Sequence, residues 1–402
     1  MSPDPHQLLD PQVIQDPYPF YAAVRTAGPV WQAGDSGIYL VAGFDALADA
    51  ARRTGDFSSV LTHLVYRQDG GMPAAAPMDV GPPTLAISDP PEHTLHKRLV
   101  FPKFVSRRMS LIEEDLVRFT KARLDAIEEM DRFDLMDEVG GAVPVHAIAR
   151  LIGLQSADER ALLQLAYDTS AMTGGTMTLA GLAALHQQSN EIRDWLESQL
   201  NAVDGSGEDV LNALRRAIDD DALSLGQALI TLVTLFSAGA ESTAALLGSA
   251  AAMLARDPDL RERLRGDPAL VAAFIEEAGR LESPFRHHLR SVPRDTELGG
   301  TPIPAGSSVM LMWGAVNRDP AKFPDPDVLR LDRKAQHVVF GRGIHLCVGA
   351  ALARMEARIV LSAMLERGRF PALDPNDPPV WEYNAMVRRY DRLPMRWGGV
   401  DA

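Results

Sequence analysis

FGRGIHLCVG, residues 340–349, contains the only cysteine of this 402-residue chain, Cys347. Three glycines lie around the thiol, at Gly341, Gly343 and Gly349. Glycine permits tight turns and a close approach of other backbone segments. The stretch therefore predicts a tightly wound loop that presents one sulfur atom close to several backbone N–H groups.

The residues after this loop predict an amphipathic helix. Val348, Leu352, Met355 and Ile359 recur at spacings of four, three and four, which places them on one helical face. Cys347 would then lie at the N-terminus of the helix, where free amide hydrogens and the helix dipole favour a thiolate.

A lone thiol has few chemical uses. Zinc sites need three or four ligands, and iron–sulfur clusters need several thiolates. A cysteine nucleophile needs an oriented base, and nothing local orients His345. An axial haem ligand requires only one thiolate. The residue chemistry leaves two readings, an inert buried cysteine and a haem ligand.

Composition limits the class of protein. Hydrophobic residues make up 46% and charged residues 23%, as in ordinary globular proteins. The net charge of −14 argues against nucleic-acid binding. One cysteine excludes an internal disulfide and fits a reducing compartment, and MSPDPHQLLDPQ lacks the features of a secretion signal. We therefore expect a cytoplasmic protein.

One long apolar run, Ala228–Ala255, has a single charge at Glu241. Its length would suit a membrane span. Its many small and hydroxyl residues and its central acid favour a buried core helix, since a carboxylate in lipid costs several kcal/mol. The sequence thus predicts no membrane insertion.

Elsewhere the chain reads as mainly α with small β-sheets. Segment by segment, the patterns predict a helix over 16–28 closed by Gly28, a strand over 38–44, a long functional loop over 60–87, helices over 106–283, short strands over 296–316 and a final hairpin over 381–397. We expect a single domain over 1–402. Its β-rich parts are roughly 30–60, 290–316 and the C-terminal hairpin, and its helical parts roughly 88–283 and 347–368.

The 340–349 loop resembles the haem-thiolate loop of cytochrome P450 monooxygenases, and three further segments resemble soluble bacterial members in the same order. The resemblance implies one triangular-prism-like helical domain, with haem b (iron protoporphyrin IX) between the long central helix and the cysteine-ligand helix. Cys347 would be the axial iron ligand. Phe340, Gly341, His345 and Gly349 would contact the haem.

FIEEAGRLESP (274–284) places Glu277 on the apolar stripe of a helix, with Arg280 one turn away and able to pair with it. A surface ion pair is the alternative. Burying a charged pair is costly, so a pair facing the core has another purpose than cheap stability. The segment resembles the structural Glu–Arg pair of the same family, and Arg333 would complete that network.

SAGAES (237–242) interrupts the apolar run. Gly239 weakens a helix, and Ser237, Ser242 and Thr243 can divert backbone hydrogen bonds, so a kink or an opened turn is predicted. Small residues that only pack helices together are the alternative.

The resemblance makes SAGAES the dioxygen groove of the family. Ala238 and Gly239 would then lie against haem, and the catalytic residues Glu241 and Ser242, with adjacent Thr243, would relay protons to dioxygen. Threonine is usual at the position of Ser242, so this chain keeps the hydroxyl but lacks the methyl that restricts its rotamer.

DPPEHTLHKRL (89–99) resembles the helix that binds haem propionates. The resemblance implies propionate contacts from four residues: His93, Lys97, Arg290 and His345. Arginine is commoner than lysine at the second position, so the adjacent Arg98 is the alternative to Lys97. Any of these residues by itself would read as a solvated surface charge.

The implied reaction is insertion of one atom of dioxygen into a small hydrophobic organic substrate, with the thiolate promoting O–O cleavage. We expect electrons from a separate ferredoxin and an NAD(P)H-dependent ferredoxin reductase, docking on Arg342, Arg354 and Arg358. The alternatives are a peroxide-driven peroxygenase, against which the Glu241–Ser242 pair counts, and a non-catalytic haem-binding or sensor protein.

Substrate contacts are expected by position from the 60–87 loop and from several shorter segments. Within those segments the candidate residues are Leu235, Phe285, Arg286, His288 and Met386, together with residues 172–179. The basic FRHH (285–288) leads to the hypothesis that Arg286 or a neighbouring histidine meets a polar or anionic substrate group. The alternative is that these side chains turn toward the propionates or solvent.

Overall fold

The computed structural model describes residues 3–77, 81–154, 159–188, 190–334 and 336–397, with the side chains of 106–108 and 186–192 outside that description. Most of this structure is helical. In chain order the α-helices are α1 Pro11–Gln15, α2 Tyr18–Ala27, α3 Phe44–Ala50, α4 Glu92–Val100, α5 Ser106–Glu128, α6 Ala142–Ile152, α7 Glu159–Thr173, α8 Leu179–Gln188, α9 Asn190–Asn201, α10 Val210–Asp219, α11 Leu225–Arg256, α12 Pro258–Gly266, α13 Leu270–Leu281, α14 Trp313–Val316 and α15 Ala350–Leu365.

Short strands lie mainly near the two ends of the chain. They are β1 Val30–Gln32, β2 Ile38–Val41, β3 His63–Arg67, β4 Pro73–Pro77, β5 Arg132–Asp134, β6 His288–Ser291, β7 Thr296–Leu298, β8 Thr301–Ile303, β9 Ser308–Leu311, β10 Pro371–Leu373, β11 Val380–Trp381, β12 Tyr390–Arg392 and β13 Pro394–Trp397. Single 3-10 turns occupy Pro5–Leu9, Leu85–Ile87, Phe101–Phe104 and Gly343–His345, and a π-helical turn occupies Met136–Gly140.

The apolar run forms the central helix α11, not a membrane span. Ser224 and Gln227 cap its N-terminus reciprocally, which satisfies otherwise unpaired N–H groups. The helix is long and apolar enough to cross a membrane, but it packs against α6, α7, α13 and α15, and Glu241 at its middle is buried. The core-helix prediction is therefore confirmed, because neighbouring helices cover the apolar surface.

The largest sheet joins distant parts of the chain in the order β1-β2-β9-β6. β2 pairs in parallel with β9, from Ile38 opposite Ser308 onward, while β6 runs antiparallel to β9. The predicted strand over 38–44 is correct only to Val41. Gly43 precedes α3, and the Phe44 N–H donates to the Asp319 carboxylate at 3.0 Å, so a helix begins there.

The prediction of a structureless loop over 60–87 is wrong for its first half. β3 and β4 form an antiparallel hairpin, with Leu64 opposite Ala76. Gly70 and Gly71 both have φ of 92°, a left-handed conformation that suits the turn. The Asp-Gly-Gly sequence at 69–71 is typical of a hairpin turn. Residues 78–80 of this segment lie outside the described residues.

The C-terminal segment is also more divided than predicted. β11 and β12 form a hairpin, but β13 leaves it and pairs with both β10 and β5. Within 296–316 the chain forms β7, β8 and β9 and then ends in the short helix α14, so the strand prediction is correct up to Leu311.

The segment 274–284 forms the end of α13, and its ionic network ties that helix to the chain before the cysteine loop. Arg280 donates to Glu277 through Nε at 2.7 Å and Nη2 at 2.8 Å. The Arg330 N–H and Arg333 Nε add bonds of 3.0 and 3.2 Å to the same carboxylate. Glu277, Arg280 and Arg333 thus meet as the sequence predicts, and they fix the path toward residue 340.

Candidate functional site

A cavity of about 230 Å³ lies between α11 and the loop that precedes α15. Its walls come mainly from α4, α11, the chain at 284–290, the 340–349 loop and the first turns of α15, with further residues from the Leu85–Ile87 turn, α6 and α14. Most of the cofactor-binding residues expected from the sequence line it: His93, Lys97, Ala238, Gly239, Arg290, Phe340, Gly341, His345, Cys347 and Gly349. Residues more than 250 positions apart thereby face one space.

The cysteine loop has the tight winding expected of it. Gly343 has a φ of 72°, and a Cβ there would approach the Ala51 carbonyl oxygen to 2.7 Å, so the position requires glycine. The Cys347 N–H donates to the Phe340 carbonyl at 2.9 Å, which closes the loop. Gly349 caps α15, so Cys347 lies just ahead of the helix with its sulfur on the cavity wall.

The position of Cys347 just ahead of a helix N-terminus is not enough by itself to ionise the thiol. Burial raises its pKa, and the N–H groups of Gly349 and Ala350 with the charges of Arg354 and Lys97 lower it by less. The expectation that the helix N-terminus favours a thiolate is right in direction, but desolvation outweighs it. A bound metal ion would overcome that cost, because a coordinating thiol is deprotonated outright.

One edge of the cavity is basic and largely desolvated. Burial lowers the pKa of Arg290 to about 10, so this guanidinium remains charged. Burial, with Arg290 next, lowers the pKa of His345 to about 3, and burial also lowers that of His93, so both rings are neutral at pH 7. The two rings lie 4.3 Å apart, and His345 Nε2 is 2.9 Å from Ser59 Oγ.

Lys97 and Arg98 diverge from one another. Lys97 lines the cavity, and its Nζ donates to the Ile344 carbonyl at 2.6 Å. Arg98 is exposed and borders only an outer groove, which Lys97 also reaches. Of the two alternatives for the basic position, the structure therefore directs Lys97 inward and Arg98 outward.

The opposite wall is formed by α11. Ser242 and Thr243 face the cavity, and Ser242 Oγ donates to the Ala238 carbonyl at 2.6 Å. The predicted opened turn is wrong, because α11 continues without interruption through this segment. A Cβ on Gly239 would approach Ile148 to 3.0 Å, so this glycine lets α6 pack closely rather than breaking the helix.

Glu241 points away from the cavity and into the protein. Its carboxylate lies 3.3 Å from Arg389 Nε, and Arg389 also bonds Glu382 at 3.0 Å and lies 3.6 Å over the Tyr167 ring. Burial raises the Glu241 pKa to about 7, against the lowering effect of Arg389 and of a hydrogen bond with Ser170. The acid is thus poised to change protonation near neutral pH.

Sequence reasoning missed Arg389. The only available signal was a general one, that a buried carboxylate needs a cationic or hydrogen-bonding partner. The chain has 40 lysine and arginine residues, and nothing in the local pattern distinguishes the one in the C-terminal segment that folds back onto α11.

Three of the predicted substrate residues line the cavity: Leu235, Phe285 and His288. Trp313 Nε1–H donates to His288 Nδ1 at 2.7 Å, which orients the ring. Burial lowers the pKa of His288 to about 3, with Arg290 contributing next, so this histidine is a neutral polar group. Beside its apolar side chains, the described cavity lining includes neutral polar groups and the cations Lys97, Arg290 and Arg342.

The structure does not bring Arg286 or Met386 to the cavity lining. The Arg286 N–H donates to the Met386 carbonyl at 2.6 Å, and the Arg286 side chain is buried beside Tyr21. Its pKa falls to about 10 through burial. Neither the predicted substrate contact nor a turn toward solvent is formed, because the strand-like segment turns this side chain toward α2.

A buried acid that the sequence reading overlooked also lines the cavity. Glu356 projects from α15 on the same face as Leu352 and Ala353. Its Oε2 has no hydrogen-bond partner among the described residues, and burial raises its pKa well above the usual value. Burial therefore disfavours the charged form of Glu356. Its place on the helical face could have been read from its spacing to Leu352.

Two of the three arginines expected to form a docking face make ion pairs with glutamates. Arg354 bonds Glu276 through Nε at 2.6 Å and Nη2 at 2.9 Å, and Arg358 pairs with Glu113 at 2.5 Å. Arg342 lies 5.9 Å from the Phe44 ring centroid. Two of the three charges are therefore partly neutralised by carboxylates.

The donor set suits a haem group. Arg290 is a buried guanidinium for which the described residues provide no carboxylate ion pair, and buried charges normally have a partner. The anionic edge of a flat apolar cofactor such as haem would supply that partner for Arg290, beside the neutral donors His93 and His345. Cys347 lies on the wall in reach of such a group, and Ser242 lies on the opposite wall.

Known proteins resemble this chain along nearly its whole length. Residues 183–388 match the sequence family described as Cytochrome P450. Cytochrome P450 144 of Mycobacterium tuberculosis is 38% identical, over 98% of this chain and 92% of its own. Cytochrome P450 monooxygenase PikC of Streptomyces venezuelae is 33% identical, over 95% and 91%.

A solved structure shares the fold as well. The crystal structure of CYP109E1 from Bacillus megaterium in complex with testosterone superposes with a TM-score of 0.85. It is 26% identical to this chain and covers 97% of it, with 100% of its own length matched. The arrangement of helices and small sheets described above is therefore the arrangement of that protein.

Proposed function

The chain belongs to the cytochrome P450 family of haem-thiolate monooxygenases, and on this premise we propose that it inserts one atom of dioxygen into a small hydrophobic organic substrate, a hydroxylation or related oxidation. Family membership confirms the fold and the oxidoreductase class expected from the sequence. The observation that carries the proposal is one cavity with a single thiol on one wall, the Ser242 hydroxyl on the other and a basic edge between them.

Haem b is the form of haem we propose. The apolar cavity with Arg290, His93 and His345 at one edge supports a porphyrin with two propionates, because these residues supply a cation and two neutral donors. Phe340, Gly341 and Gly349 would pack against the ring, as would Ala238 and Gly239 from α11. When bound, the haem would supply activation of dioxygen, and its ligation by the Cys347 thiolate would promote O–O cleavage.

Proton supply is the proposed task of Ser242 and Glu241. The Ser242 hydroxyl faces the cavity and can pass a proton, while Glu241 stands behind it with a pKa of about 7. A general acid works best when its pKa lies near the working pH. Because Glu241 bonds Arg389 and not the cavity, the carboxyl must rotate or act through water, and Arg389 sets how readily it takes up a proton. Thr243 extends the polar wall.

The substrate would lie against Leu235, Phe285 and His288. This surface supports a hydrophobic substrate, since it offers apolar side chains and one neutral imidazole held by Trp313. Arg286 is a support for the segment in this proposal and not a substrate anion site, because its side chain packs beside Tyr21.

We propose a ferredoxin and an NAD(P)H-dependent ferredoxin reductase as the electron donors. An apolar patch supports a docking site close to the cysteine loop: Leu346 is 53% exposed, Phe101 46% and Ile344 37%. Arg98 borders the same groove and adds positive charge within a chain of net charge −14. An acidic partner with a small apolar contact would be complementary to this surface.

Phe101→Asp tests the docking site, since Phe101 lines the outer groove and not the cavity. It should slow reduction by a ferredoxin system strongly, while chemical reduction with dithionite proceeds as in the unmodified protein. Val328→Asp, at a position 53% exposed away from this groove, is the matched control. Equal rates for the two variants would place docking elsewhere.

We further propose one domain over 1–402 and a cytoplasmic location. One large cluster of buried apolar residues includes residues from Leu85 to Met395, and the one helix of the described residues that is long and apolar enough to span a membrane is mostly buried. Purification from the soluble fraction without detergent is the matching test.

Haem loading of purified protein tests the function directly. The unmodified chain should give the thiolate-type absorption of the reduced carbon monoxide complex, and Cys347→Ala should lose it. Ser242→Ala is the matched control, since it changes the other wall and should keep the signature. A protein that stays colourless after haemin is supplied contradicts the proposal. A spin-state screen of hydrophobic compounds would then identify the substrate class.

A further inference from the structure

Trp313 and His288 lie side by side on the cavity wall, and the fold holds them in register. His288 begins β6 and pairs with Leu311 of β9, two residues before Trp313. The Gly314 N–H donates to the Arg286 carbonyl at 3.0 Å, which ties the first turn of α14 to the same segment. Backbone contacts on either side therefore position the indole and the imidazole, and both rings line the cavity.

The contact between the two rings determines where His288 carries its proton. Trp313 Nε1–H donates to His288 Nδ1 at 2.7 Å. An indole nitrogen can only donate, so Nδ1 must accept and carries no proton. The proton of the neutral imidazole is then on Nε2. Burial lowers the His288 pKa to about 3, with Arg290 contributing next, so the neutral form is the one present.

The Nε2–H of His288 is available to a bound molecule. No described residue bonds this nitrogen, and the imidazole is half-buried where it lines the cavity. Its ring neighbours are Phe285, with centroids 4.9 Å apart, and Trp313, at 6.1 Å. His345 lies near enough for His288 to lower its pKa, but His345 Nε2 contacts Ser59 Oγ at 2.9 Å. By its ring contacts, His288 therefore belongs to the Phe285 side of the cavity.

We propose that Trp313 is a positioning residue that fixes His288 as a hydrogen-bond donor to the substrate, so that the site favours hydrophobic molecules with an oxygen acceptor, such as a ketone or an ester. This inference rests on the proposed monooxygenase function and narrows its substrate class. A donor that cannot reverse its polarity favours an acceptor, because a buried N–H left without one is costly. A single hydrogen bond of this kind corresponds to about a fivefold change in Kd.

Binding of isosteric ligand pairs to haem-loaded protein tests the proposal. The probes are cyclic ketones, each paired with the hydrocarbon in which a methylene group replaces the oxygen, for example 2-adamantanone and 2-methyleneadamantane. The haem absorption change gives each Kd. In His288→Phe the ratio of ketone Kd to hydrocarbon Kd should rise about fivefold, because only the ketone loses a partner. His288→Gln, which has an amide donor, should restore part of the ratio.

The tautomer of His288 is measured separately, by ¹⁵N NMR of histidine-labelled protein in the diamagnetic reduced carbon monoxide complex. The signal that is lost in His288→Phe should show a proton on Nε2 alone. Trp313→Phe should give a mixture of the two tautomers and a smaller rise in the Kd ratio than His288→Phe. Trp31→Phe is the matched control, because Trp31 packs on Phe20 and is not among the residues that line the cavity; it should leave both readouts unchanged.

Each of the other outcomes overturns the proposal. A proton on His288 Nδ1 contradicts the role of Trp313. Kd ratios in His288→Phe equal to those of the unmodified protein, or a panel in which no ketone binds, contradict the substrate contact. Faster haem transfer to apomyoglobin from His288→Phe, as expected of Arg290→Met, with unchanged Kd ratios would assign the acceptor to a haem carboxylate instead. If the unmodified chain takes up no haem, the proposed function fails first and this inference fails with it.

Discussion

Two buried glutamates of this protein, Glu277 and Glu241, are each 1% exposed and each bonded to arginine, yet they differ in protonation. Glu277 receives two bonds from Arg280 and one from the Arg330 N–H, and these lower its pKa although burial alone would raise it. Glu241 has one arginine contact, at 3.3 Å to Arg389, and burial raises its pKa to about 7.

The difference follows from burial and donors together: desolvation raises the pKa of both carboxylates, but it weighs more on Glu241, whereas more donors offset it at Glu277. Glu277 is saturated with donors and joins α13 to the chain before the cysteine loop. Glu241 has fewer donors and can change protonation near neutral pH. Glu356, whose Oε2 lacks a partner in the described structure, extends the series, because burial raises its pKa with no donor to oppose it at that oxygen. Depth of burial and the number of donors together distinguish the structural carboxylate from the proton-handling one.

The largest expected effect comes from breaking the saturated network. Glu277→Ala leaves the buried Arg280 without its carboxylate, and we expect a loss of about 3–5 kcal/mol in apparent unfolding free energy. Denaturant unfolding of the haem-loaded protein measures it. Glu262→Ala is the control, because Glu262 is 63% exposed in its pair with Arg265 and should cost less than about 1 kcal/mol. Similar losses in both variants would contradict the role assigned to the network.

The next effect concerns the hydroxyl in front of Glu241. Ser242→Ala should still bind haem and substrate but raise the ratio of peroxide to product, on the order of tenfold, because one step of proton transfer is lost. Ser242→Thr adds the methyl that restricts the rotamer and should lower the ratio. Reductant consumed, peroxide and product are measured together. An unchanged ratio in Ser242→Ala would exclude the hydroxyl from proton supply.

A smaller effect, on pH dependence, follows from the Glu241 pKa. The protonated acid donates, so the peroxide-to-product ratio should rise as pH increases through about 7. Arg389→Met removes the cation that favours the carboxylate, which raises the Glu241 pKa and moves the rise about one pH unit higher. Arg389→Lys, which keeps a charge, should move it less. Glu241→Gln should flatten the profile, and a profile that Glu241→Gln leaves unaltered would assign the titration to another group.

The same shift has a consequence for stability with a definite sign. Folding raises the pKa of Glu241 from its ordinary value of 4.5 to about 7. The contribution of this group to the free energy of unfolding is therefore complete below pH 4.5 and is lost as pH rises through about 7. Unfolding free energies of the Glu241→Gln variant should lack this decline. A parallel pH dependence in both proteins would show that Glu241 remains ionised when folded.

The smallest effect is expected at Glu356, the buried acid on α15. Glu356→Gln keeps shape and neutrality, so the unfolding free energy should change by about 1 kcal/mol or less. Glu277→Gln, the matched substitution at the saturated site, should cost considerably more because its donors lose a charged acceptor. Denaturant unfolding compares the two. A large loss in Glu356→Gln would mean that Glu356 is ionised and has a partner.

Prediction from sequence was most complete where the site is contiguous. Within 340–349 the spacing of Phe340, His345 and Cys347 identifies both the loop and the family, and the structure gathers them on one wall. The pairing of Glu277 with Arg280 also followed from helical spacing. These features depend on residues near one another in the chain, where geometry is set by local backbone structure.

Prediction failed where contacts cross the fold. Arg389 reaches Glu241 from 148 positions away, and no local pattern records that approach. Arg286 was expected at the substrate because its neighbours are there, but the segment turns its side chain to Tyr21. The hairpin β3–β4 was overlooked because its alternation is weak and only the 69–71 turn marks it.

Local patterns were enough to predict the cysteine loop with its glycines, the apolar central helix and the family, because each depends on adjacent or helically spaced residues. Three features required the folded chain: Lys97 turns to the loop carbonyls, Glu241 meets Arg389, and Glu356 has no donor at Oε2 among the described residues. Protonation and orientation depend on desolvation and on partners from distant segments, and these exist only once the chain has packed.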